Sequence, residues 1–319
     1  MAPLIAHMLC DEKTNFRACN VTTFAIAGLQ LALDQGDNLD AIEDEVRALK
    51  RRFGWIDMVL VPELAAFGTG LDYAQPMPGE AEQRFARLAR ECGLWLIPGT
   101  LYERAGAAIH NTAPIINPAG EIVARYRKMY PFLPYEQRVT AGDRCVVFDV
   151  PGKGRFGISI CYDMWFPETT RTLAWMGAEV ILHPVMTSTL DRDAELAIAR
   201  ASSAMNQCYV VDINIAGNLG VGRSIVTGPG GEVLHQAGTD REIIPVVIDF
   251  DYVRRVRENG WHGLGQVLKS HRDAGHVFPP YAEGAASAAF GRLGPLIKPT
   301  TDQTAPAEAP RESNRKRGD

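Results

Sequence analysis

Apolar and polar residues alternate along the chain in blocks that predict strands and amphipathic helices in turn. The apolar run Phe24–Leu33 is typical of a buried strand, and Gly36-Asp37-Asn38 is typical of a turn that caps a helix. From residue 39 to 52 apolar positions recur every three or four residues, which predicts an amphipathic helix. Acidic residues lie in its first half and basic residues at its end, as the helix dipole favours, and Gly54 is expected to end it. Further segments of this kind are the apolar strands at 58–61 and 94–97 and the helix at about 80–92. This order predicts an α/β fold whose mainly parallel sheet is covered by helices.

The second half of the chain repeats the pattern of the first. Gly54–Pro62 and Gly177–Pro184 are both apolar segments that begin with glycine and end with proline. The turns Pro118–Glu121 and Pro229–Glu232 each lie between apolar strands and predict hairpins. Two interpretations stay open: an internal duplication with two similar layers packed face to face, or chance, because turns of this composition are common.

Composition and charge restrict the partners and the location. The 319 residues are 46% hydrophobic and 22% charged with a net charge of −5, as in globular proteins. Nucleic acid is not an expected partner, because its phosphates need clustered Lys and Arg and the basic cluster here is confined to 315–317. We expect a cytoplasmic protein without a membrane partner: there is no basic leader and no apolar run of about 20 residues. The six scattered cysteines also fit a reducing compartment.

The chain is expected to form one domain. Its boundaries are predicted at residues 1–299, with a core at about 20–280. Residues 300–319 contain no large apolar side chain and are expected to be a disordered polar tail.

Motifs for nucleotide cofactors and metals are absent from the sequence. There is no phosphate-binding loop, no Rossmann glycine pattern and no closely spaced pair of metal-ligating residues, so neither a cofactor nor a metal is expected. Gly157–Cys161 approaches the serine-hydrolase motif G-x-S-x-G. However, Ser159 lies within the apolar strand 156–160, which favours a strand residue over a nucleophile.

Cys161 lies where that strand ends and a helix is predicted to begin. Pro167-Glu168 suits the first turn of the helix, where the missing N–H of proline costs nothing. A cysteine at such a bend can expose its sulfur to a substrate, although a buried inert thiol is the commoner alternative.

Three charged residues are candidates to act with this thiol. Glu63 directly follows the apolar strand 58–62, at the carboxyl end, where open α/β sheets bind ligands. Lys128 follows the hairpin strand 122–126 in an aromatic-rich context that is unusual for an exposed lysine, and Glu136 comes eight residues later.

These segments together resemble the nitrilase (carbon–nitrogen hydrolase) superfamily. Val-Pro-Glu63, Arg-Lys128-Met with Glu136, and Ile-Cys161-Tyr-Asp-Met-Trp-Phe-Pro-Glu168 occur in the order and with the spacing of that family. The resemblance covers about residues 20–280. It implies an α/β fold with a four-layer α-β-β-α sandwich of two pseudo-repeated halves, which assembles as a homodimer or larger homo-oligomer.

The resemblance implies hydrolysis of the C–N bond of a small amide through a thioester on Cys161. Glu63 would take the thiol proton and return it to leaving ammonia, since burial can raise the pKa of a carboxyl group. Lys128 and the backbone N–H of Tyr162 would stabilise the oxyanion. By analogy with the family, Glu136 would orient the hydrolytic water or hold Glu63 and Lys128; an ordinary loop salt bridge is its alternative role.

The substrate class depends on residues near the nucleophile. Family branches that act on N-carbamoyl amino acids or amide acids tend to carry arginine there, but this chain has Met164 and Trp165. True nitrilases usually show Cys-Trp-Glu, whereas this chain has Cys161-Tyr162-Asp163. Both departures favour an amidase for an uncharged, fairly apolar amide. Neutral primary amides should therefore be hydrolysed with a higher kcat/KM than N-carbamoyl amino acids or amide acids, unless a residue elsewhere in the fold, such as His183 or Arg192, supplies a positive charge.

Alternative functions stay open beside this one. They are an N-carbamoyl amino acid or amine amidohydrolase, a nitrilase, and a non-catalytic binding member of the family. Two roles are equally compatible with His183: it could line the pocket and bind the acyl group, or it could be a core histidine whose hydrogen bonds are made within the protein. The side chains predicted to contact the substrate are Phe132, Tyr162, Met164, Trp165 and His183.

Overall fold

A computed structural model describes residues 21–298, and its helices and strands follow the order that the hydrophobic pattern predicts. The strands are β1 (Thr23–Gln30), β2 (Ala32–Leu33), β3 (Met58–Leu60), β4 (Trp95–Ile97), β5 (Leu101–Ala105), β6 (Ala108–Ile116), β7 (Ile122–Arg127), β8 (Val146–Val150), β9 (Gly154–Ile158), β10 (Val180–Val185), β11 (Tyr209–Asn214), β12 (Ala216–Gly217), β13 (Ile225–Thr227), β14 (Val233–Gln236) and β15 (Glu242–Asp249). The helices are α1 (Leu39–Arg52), α2 (Glu80–Cys92), α3 (Pro167–Trp175), α4 (Arg192–Asn206), α5 (Phe250–Asn259) and α6 (Val267–Ala274). The predicted tail at 300–319 lies outside the described residues.

The first two helices begin and end where the pattern predicts, because local interactions fix their ends. In the turn before α1 the carboxylate of Asp37 accepts a hydrogen bond from the N–H of Leu39 at 2.9 Å. At the other end Lys50 donates to the carbonyl oxygens of Gly54 and Ile56. Helix α2 ends at Gly93, whose φ of +60° is the left-handed conformation that suits glycine.

The predicted strand at 24–33 is divided in the structure, and Gln30 explains why. Its fully buried side chain accepts hydrogen bonds from the N–H and the hydroxyl of Ser224, and donates to the carbonyl oxygens of Gly238 and Asp240. These contacts end β1. The next residues leave the sheet, and β2 pairs with β12 instead.

Two mixed sheets form the centre of the molecule. The first has the order β15-β1-β3-β4-β6-β5 with β7 beside β6, and the second has the order β14-β13-β11-β10-β9-β8. In each, three strands are parallel and joined by helices: β1, β3 and β4 in the first, and β9, β10 and β11 in the second. In each, an antiparallel hairpin follows, β6–β7 or β13–β14, around one of the two similar turns. The shared topology favours the internal duplication.

The sheets pack face to face, and each carries helices on its outer face. Side chains of both sheets, Phe24 and Phe156 among them, form the core between the sheets. Helices α1 and α2 cover the outer face of the first sheet with a second apolar cluster, and α3 and α4 cover the second sheet with a third. The four-layer α-β-β-α sandwich is therefore confirmed.

The last part of the described chain, residues 261–298, leaves this sandwich. It contains α6 and short 3-10 turns, and all but a few of its side chains are exposed. No helix within residues 21–298 is both long enough and apolar enough to cross a membrane.

Candidate active site

Cys161 lies at a sharp bend between β9 and helix α3. It begins a short 3-10 turn, Cys161–Trp165, and its φ of +44° lies in the left-handed region that residues other than glycine rarely adopt. Such a conformation costs on the order of 1–3 kcal/mol and persists only where the surrounding structure holds it. The first N–H groups of a helical turn have no partner inside the turn, and the N–H of Tyr162 is one of these.

The buried carboxylate of Asp163 holds this bend. Its Oδ2 accepts hydrogen bonds from the N–H of Ile160 at 2.9 Å and the hydroxyl of Tyr126 at 2.7 Å. Its Oδ1 accepts one from the N–H of Tyr130 at 2.8 Å. Burial raises the pKa of Asp163 to about 6. Because Tyr126 and Tyr130 flank Lys128 in sequence, Asp163 also fixes the nucleophile bend against the lysine segment.

Glu63 lies at the carboxyl end of β3, as predicted. The next residue, Leu64, also has a left-handed backbone with a φ of +49°. Oε1 of Glu63 accepts hydrogen bonds from Asn111 Nδ2 at 2.8 Å and Lys128 Nζ at 2.9 Å. Oε2 accepts one from the N–H of Met186 at 3.1 Å. Since Met186 follows β10, this last bond joins the first sheet to the second.

Lys128 is fully buried between two carboxylates. Its Nζ lies 2.9 Å from Glu63 Oε1 and 2.9 Å from Glu136 Oε2. Its backbone is held on both sides, because its N–H donates to the carbonyl of Asn111 and its carbonyl accepts from the N–H of Gly142, each at 2.8 Å. The ammonium group therefore has a fixed position.

Burial and mutual charge determine the protonation of these groups. Burial raises the pKa of Glu63, with the Lys128 ammonium opposing this effect and the Glu136 charge adding to it. Burial alone would lower the pKa of Lys128, but the surrounding negative charges raise it well above its usual range. Burial and the Glu63 charge raise the pKa of the Cys161 thiol well above its usual range. The resting site at neutral pH therefore contains a neutral thiol and a charged lysine, so attack requires a base.

A buried polar network lies behind the nucleophile on the helix side of the second sheet. The hydroxyl of Thr187 is 3.9 Å from Cys161 Sγ and donates to Glu195 Oε1 at 2.9 Å. Glu195 accepts from Arg192 at 3.0 Å, and Arg192 also pairs with Asp212. This network, Thr187-Glu195-Arg192-Asp212, is held by the loop after β10, by the middle of β11 and by the first turn of α4.

One cavity brings the predicted reacting groups together. It has a volume of about 490 Å³, within the range of about 300–1,000 Å³ that is common for ligand sites. Cys161, Glu63, Lys128 and Glu136 all line it. Other lining residues are the apolar Leu64, Leu71, Val139 and Met186, the aromatic Tyr102, Phe132 and Tyr135, and the polar Thr69, Gln137 and Arg138. Within residues 21–298 no group of three or more His, Cys, Asp or Glu side chains is placed to hold a metal ion.

Of the side chains predicted to contact substrate, Phe132 lines the cavity. Tyr162 and Trp165 belong to an aromatic cluster beside it, in which the Phe132 and Tyr162 rings are 5.0 Å apart. Met164 packs into the apolar cluster beneath α3 and α4. The substrate contacts of Tyr162, Trp165 and Met164 stay predictions.

His183 faces the helices and not the cavity. In β10 the neighbouring Leu182 belongs to the core between the sheets, while Ile181 packs under the helices, so His183 shares the outer face with Ile181. Its Nε2 is 3.9 Å from Asp212 Oδ2, and burial lowers its pKa to about 4. Ser159 is fully buried and does not line the cavity, in agreement with its interpretation as a strand residue.

Several groups at this site were not predicted from the sequence. Asn111 and the N–H of Met186 bind Glu63, Thr187 contacts Cys161, and Tyr102 and Arg138 line the cavity. Asn111 could most readily have been predicted from the sequence. It lies within the buried strand 108–116, and a buried polar side chain is expected to have a hydrogen-bond partner.

The two-sheet sandwich with a cysteine, a lysine and two glutamates in one cavity defines the class of the protein: an amidase-like hydrolase of the nitrilase superfamily. The profile of the Carbon-nitrogen hydrolase family matches residues 23–258, and the chain belongs to that family. The resemblance found in the sequence is thereby confirmed.

Individual relatives agree with this assignment. The chain is 29% identical to human omega-amidase NIT2 over 259 residues, which cover 75% of this chain and 93% of that protein. Nit3 of Saccharomyces cerevisiae, a member of branch 10 of the nitrilase superfamily, has a similar structure, with a TM-score of 0.69 and 26% identity over 74% of this chain and 94% of Nit3. A carbon-nitrogen hydrolase from Helicobacter pylori G27 has a TM-score of 0.68 and 25% identity over 79% of this chain and 95% of its own.

Proposed function

We propose that the protein hydrolyses a small linear amide to a carboxylic acid and ammonia through a thioester on Cys161. The observation that carries this proposal is the single cavity lined by the Cys161 thiol, the buried Glu63 carboxylate and the charged Lys128. The similarity to human omega-amidase NIT2 supports an amide as the substrate.

Acylation begins with transfer of the Cys161 proton to Glu63. The thiolate then attacks the amide carbon, a C–S bond forms, and the carbonyl oxygen becomes an oxyanion. Lys128 and the N–H of Tyr162 stabilise this charge, which is greater in the transition state than in the substrate. Glu63 then returns the proton to the nitrogen, the C–N bond breaks, and ammonia leaves the thioester.

Deacylation uses the same base. Glu63 takes a proton from a water molecule, whose oxygen attacks the thioester carbon, and the second tetrahedral intermediate expels the Cys161 sulfur. The proton on Glu63 returns to the sulfur, and the carboxylic acid leaves. Glu136 holds Lys128 from the side opposite Glu63, and the hydrogen bonds from Asn111 and Met186 keep Glu63 in place through both steps.

The charge of the acyl group is not part of this proposal. An uncharged amide was expected because the nucleophile loop contains no arginine. Arg138 lines the cavity from another loop, so the cavity does contain an arginine.

Substitution of Cys161 by alanine tests the proposal. Ammonia release from a panel of simple amides, N-carbamoyl amino acids and nitriles should be highest for an amide and should vanish in Cys161→Ala, which keeps the wild-type melting temperature. The matched control is Cys145→Ala, because Cys145 is also half-buried but lies outside the cavity. With a slow substrate, intact mass should show an acyl adduct on wild type. Undiminished turnover by Cys161→Ala would refute the mechanism, and preference for carbamoyl compounds or nitriles would support the alternative activities.

We also propose that the protein is a homodimer or larger homo-oligomer. The segment 261–298 exposes a series of apolar side chains, Leu264, Val277, Phe278, Tyr281, Phe290, Leu293 and Leu296. A second copy of the chain would cover them, since exposed apolar surface of this kind is typical of interfaces. Sedimentation velocity should show a dimer for the full chain and a smaller species for a chain ended near residue 275. An unchanged oligomer would contradict this role of the segment.

We further propose a cytoplasmic location. The four cysteines that the structure describes are free thiols, and the mechanism needs a reduced Cys161.

A further inference from the structure

We propose that Thr187 is a further catalytic residue: its hydroxyl group donates a hydrogen bond to the Cys161 sulfur when the thiol loses its proton. Glu195 is the positioning residue that holds this hydroxyl group while the thiol is neutral. This inference rests on the proposed thioester mechanism and adds one hydrogen-bond donor to it. It follows from the position of one hydroxyl group between a sulfur and a carboxylate.

The hydroxyl group of Thr187 lies between two groups that compete for its hydrogen. Its Oγ1 is 3.9 Å from Cys161 Sγ and 2.9 Å from Glu195 Oε1. A hydroxyl group has one hydrogen and two lone pairs, so it donates to one of these neighbours at a time. An ionised carboxylate is a stronger acceptor than a neutral thiol. In the resting site the hydrogen therefore points to Glu195, and a lone pair faces the thiol.

Loss of the thiol proton reverses this preference. A lone pair that faces a thiolate is repelled by it, whereas an O–H group that faces it forms a charge-assisted hydrogen bond. Rotation of the hydroxyl hydrogen about the Cβ–Oγ1 bond of Thr187 exchanges the two partners without moving a heavier atom. Glu195 keeps its hydrogen bond from Arg192 at 3.0 Å in both arrangements, so its carboxylate is not left unpaired.

The surroundings fix the Thr187 oxygen at this point. The N–H of Thr187 donates to Asn214 Oδ1 at 2.8 Å, and its carbonyl accepts from Asn214 Nδ2 at 3.0 Å. On the other side, Glu195 is bound by Arg192, which is fully buried and also pairs with Asp212. The heavier atoms of the contact are thus held in place, and the hydroxyl hydrogen can still rotate.

Thr187 contacts the sulfur from the interior of the protein. It is buried and does not line the cavity, whereas Cys161 does. The substrate therefore meets the sulfur on the cavity side, while the hydroxyl group contacts it from behind. The contact serves in both halves of the reaction. It stabilises the thiolate that attacks the amide, and it stabilises the sulfur that leaves the second tetrahedral intermediate.

A change from threonine to valine isolates the contribution of the hydroxyl group. The charged groups that face the sulfur or its carboxylate neighbour are Glu63, Lys128, Glu195, Arg192 and Asp212. Thr187→Val changes none of these charges and nearly keeps the shape of the side chain. A shift in the protonation of Cys161 in this variant is therefore due to the missing hydroxyl group.

The test is the pH dependence of Cys161 alkylation by iodoacetamide, followed by mass spectrometry of the Cys161 peptide. Thr187→Val should raise the pH midpoint by about 0.5–1 unit, because the thiolate loses a hydrogen-bond donor. With a simple amide, kcat should fall by about 3- to 10-fold, and KM should change by less than about twofold. Thr187→Ser keeps the hydroxyl group and should restore the midpoint and most of kcat. Thr187→Ala also lacks the group and should shift the midpoint in the same direction as valine.

Two comparisons separate the positioning by Glu195 from general effects. Glu195→Gln should lower the midpoint, and should lower it less in the Thr187→Val background, where no hydroxyl group connects residue 195 to the sulfur. Thr227→Val is the matched control. It removes a buried hydroxyl group that lies outside the cavity and has no hydrogen-bond partner within residues 21–298, so midpoint and kcat should stay unchanged.

The outcomes distinguish this inference from the proposed function. An unchanged or lower midpoint in folded Thr187→Val and Thr187→Ala, or a Thr187→Ser variant as slow as Thr187→Val, would refute the role of the hydroxyl group and leave amide hydrolysis standing. Equal effects of Glu195→Gln in both backgrounds would refute the positioning by Glu195. If Cys161→Ala keeps its turnover and Cys161 forms no adduct with a slow amide, the proposed function fails and this inference fails with it.

Discussion

Replacement of Lys128 by methionine should destabilise the protein in a strongly pH-dependent way. Methionine fills a similar apolar volume but leaves Glu63 and Glu136 facing each other without the ammonium group that lies 2.9 Å from each. Two charge-assisted hydrogen bonds are lost, and removal of one partner from a buried ion pair typically costs about 3–5 kcal/mol. We expect a loss of this size at neutral pH, where both carboxylates would otherwise be ionised.

The pH dependence follows from the carboxylates that remain. Burial already raises the pKa of Glu63, and the variant lacks the lysine charge that opposes this effect. Folded Lys128→Met therefore keeps a proton that the unfolded chain releases, so its stability falls as pH rises above the ordinary glutamate pKa. Each pH unit in this interval costs about 1.4 kcal/mol for one such group. The loss relative to wild type should be about 1–2 kcal/mol near pH 5 and about 3–5 kcal/mol near pH 7.5.

Urea unfolding followed by tryptophan fluorescence at both pH values measures this difference. The double variant Lys128→Met, Glu136→Gln removes one carboxylate with the lysine and should recover part of the loss near neutral pH. The surface control Lys153→Met should cost less than about 0.5 kcal/mol, because Lys153 bonds only the carbonyl of Thr23 at an exposed position. An equal loss at both pH values would show that packing and not charge explains the effect. Independently of stability, kcat should fall by at least about 10²- to 10³-fold, as for the loss of an oxyanion donor.

The remaining predictions concern the groups behind the nucleophile. The negative charge of Glu195 contributes to the raised pKa of the Cys161 thiol. Glu195→Gln should therefore lower the pH midpoint of Cys161 alkylation by iodoacetamide. An unchanged or higher midpoint would exclude this effect of Glu195 on the thiol. Burial lowers the pKa of His183 from 6.5 to about 4, so its imidazole should be neutral near pH 6 in NMR spectra. An imidazole resonance that titrates above pH 6 in wild type and is absent from His183→Gln would contradict the buried position of His183. Because the unfolded chain protonates this histidine first, wild type should lose up to about 3 kcal/mol more stability than His183→Gln as pH falls from 6.5 to 4.

The sequence was sufficient to predict the elements that local interactions determine. The helix at 39–52 has its apolar period, its acidic first turn and its basic last turn within its own residues, and the structure reproduces both ends. The strand-end positions of Glu63 and Cys161 were also predictable, because the carboxyl ends of parallel strands meet at one edge of a sheet. Their convergence with Lys128 in one cavity agrees with the family resemblance.

The orientation of side chains within buried segments was not predictable. Every residue of β10 is buried, so its apolar pattern does not show which face carries His183. The 3-10 turn at 161–165 was not expected. Successive side chains of such a turn point in different directions, so a residue next to Cys161 in sequence does not have to reach the cavity. Met164 therefore packs under the helices, while Arg138 comes from a loop without any periodic pattern.

The strand order of the first sheet determines when during synthesis this enzyme can become active. Strand β15 pairs with β1 along its whole length, so the sheet that carries Glu63 and Lys128 stays incomplete until the ribosome has passed residue 249. Cys161 is made long before that point, and contacts between such distant segments form slowly. Until then the sheet that carries Glu63 and Lys128 lacks the edge strand beside β1. The first sheet is therefore completed only by a strand that is synthesised well after the nucleophile.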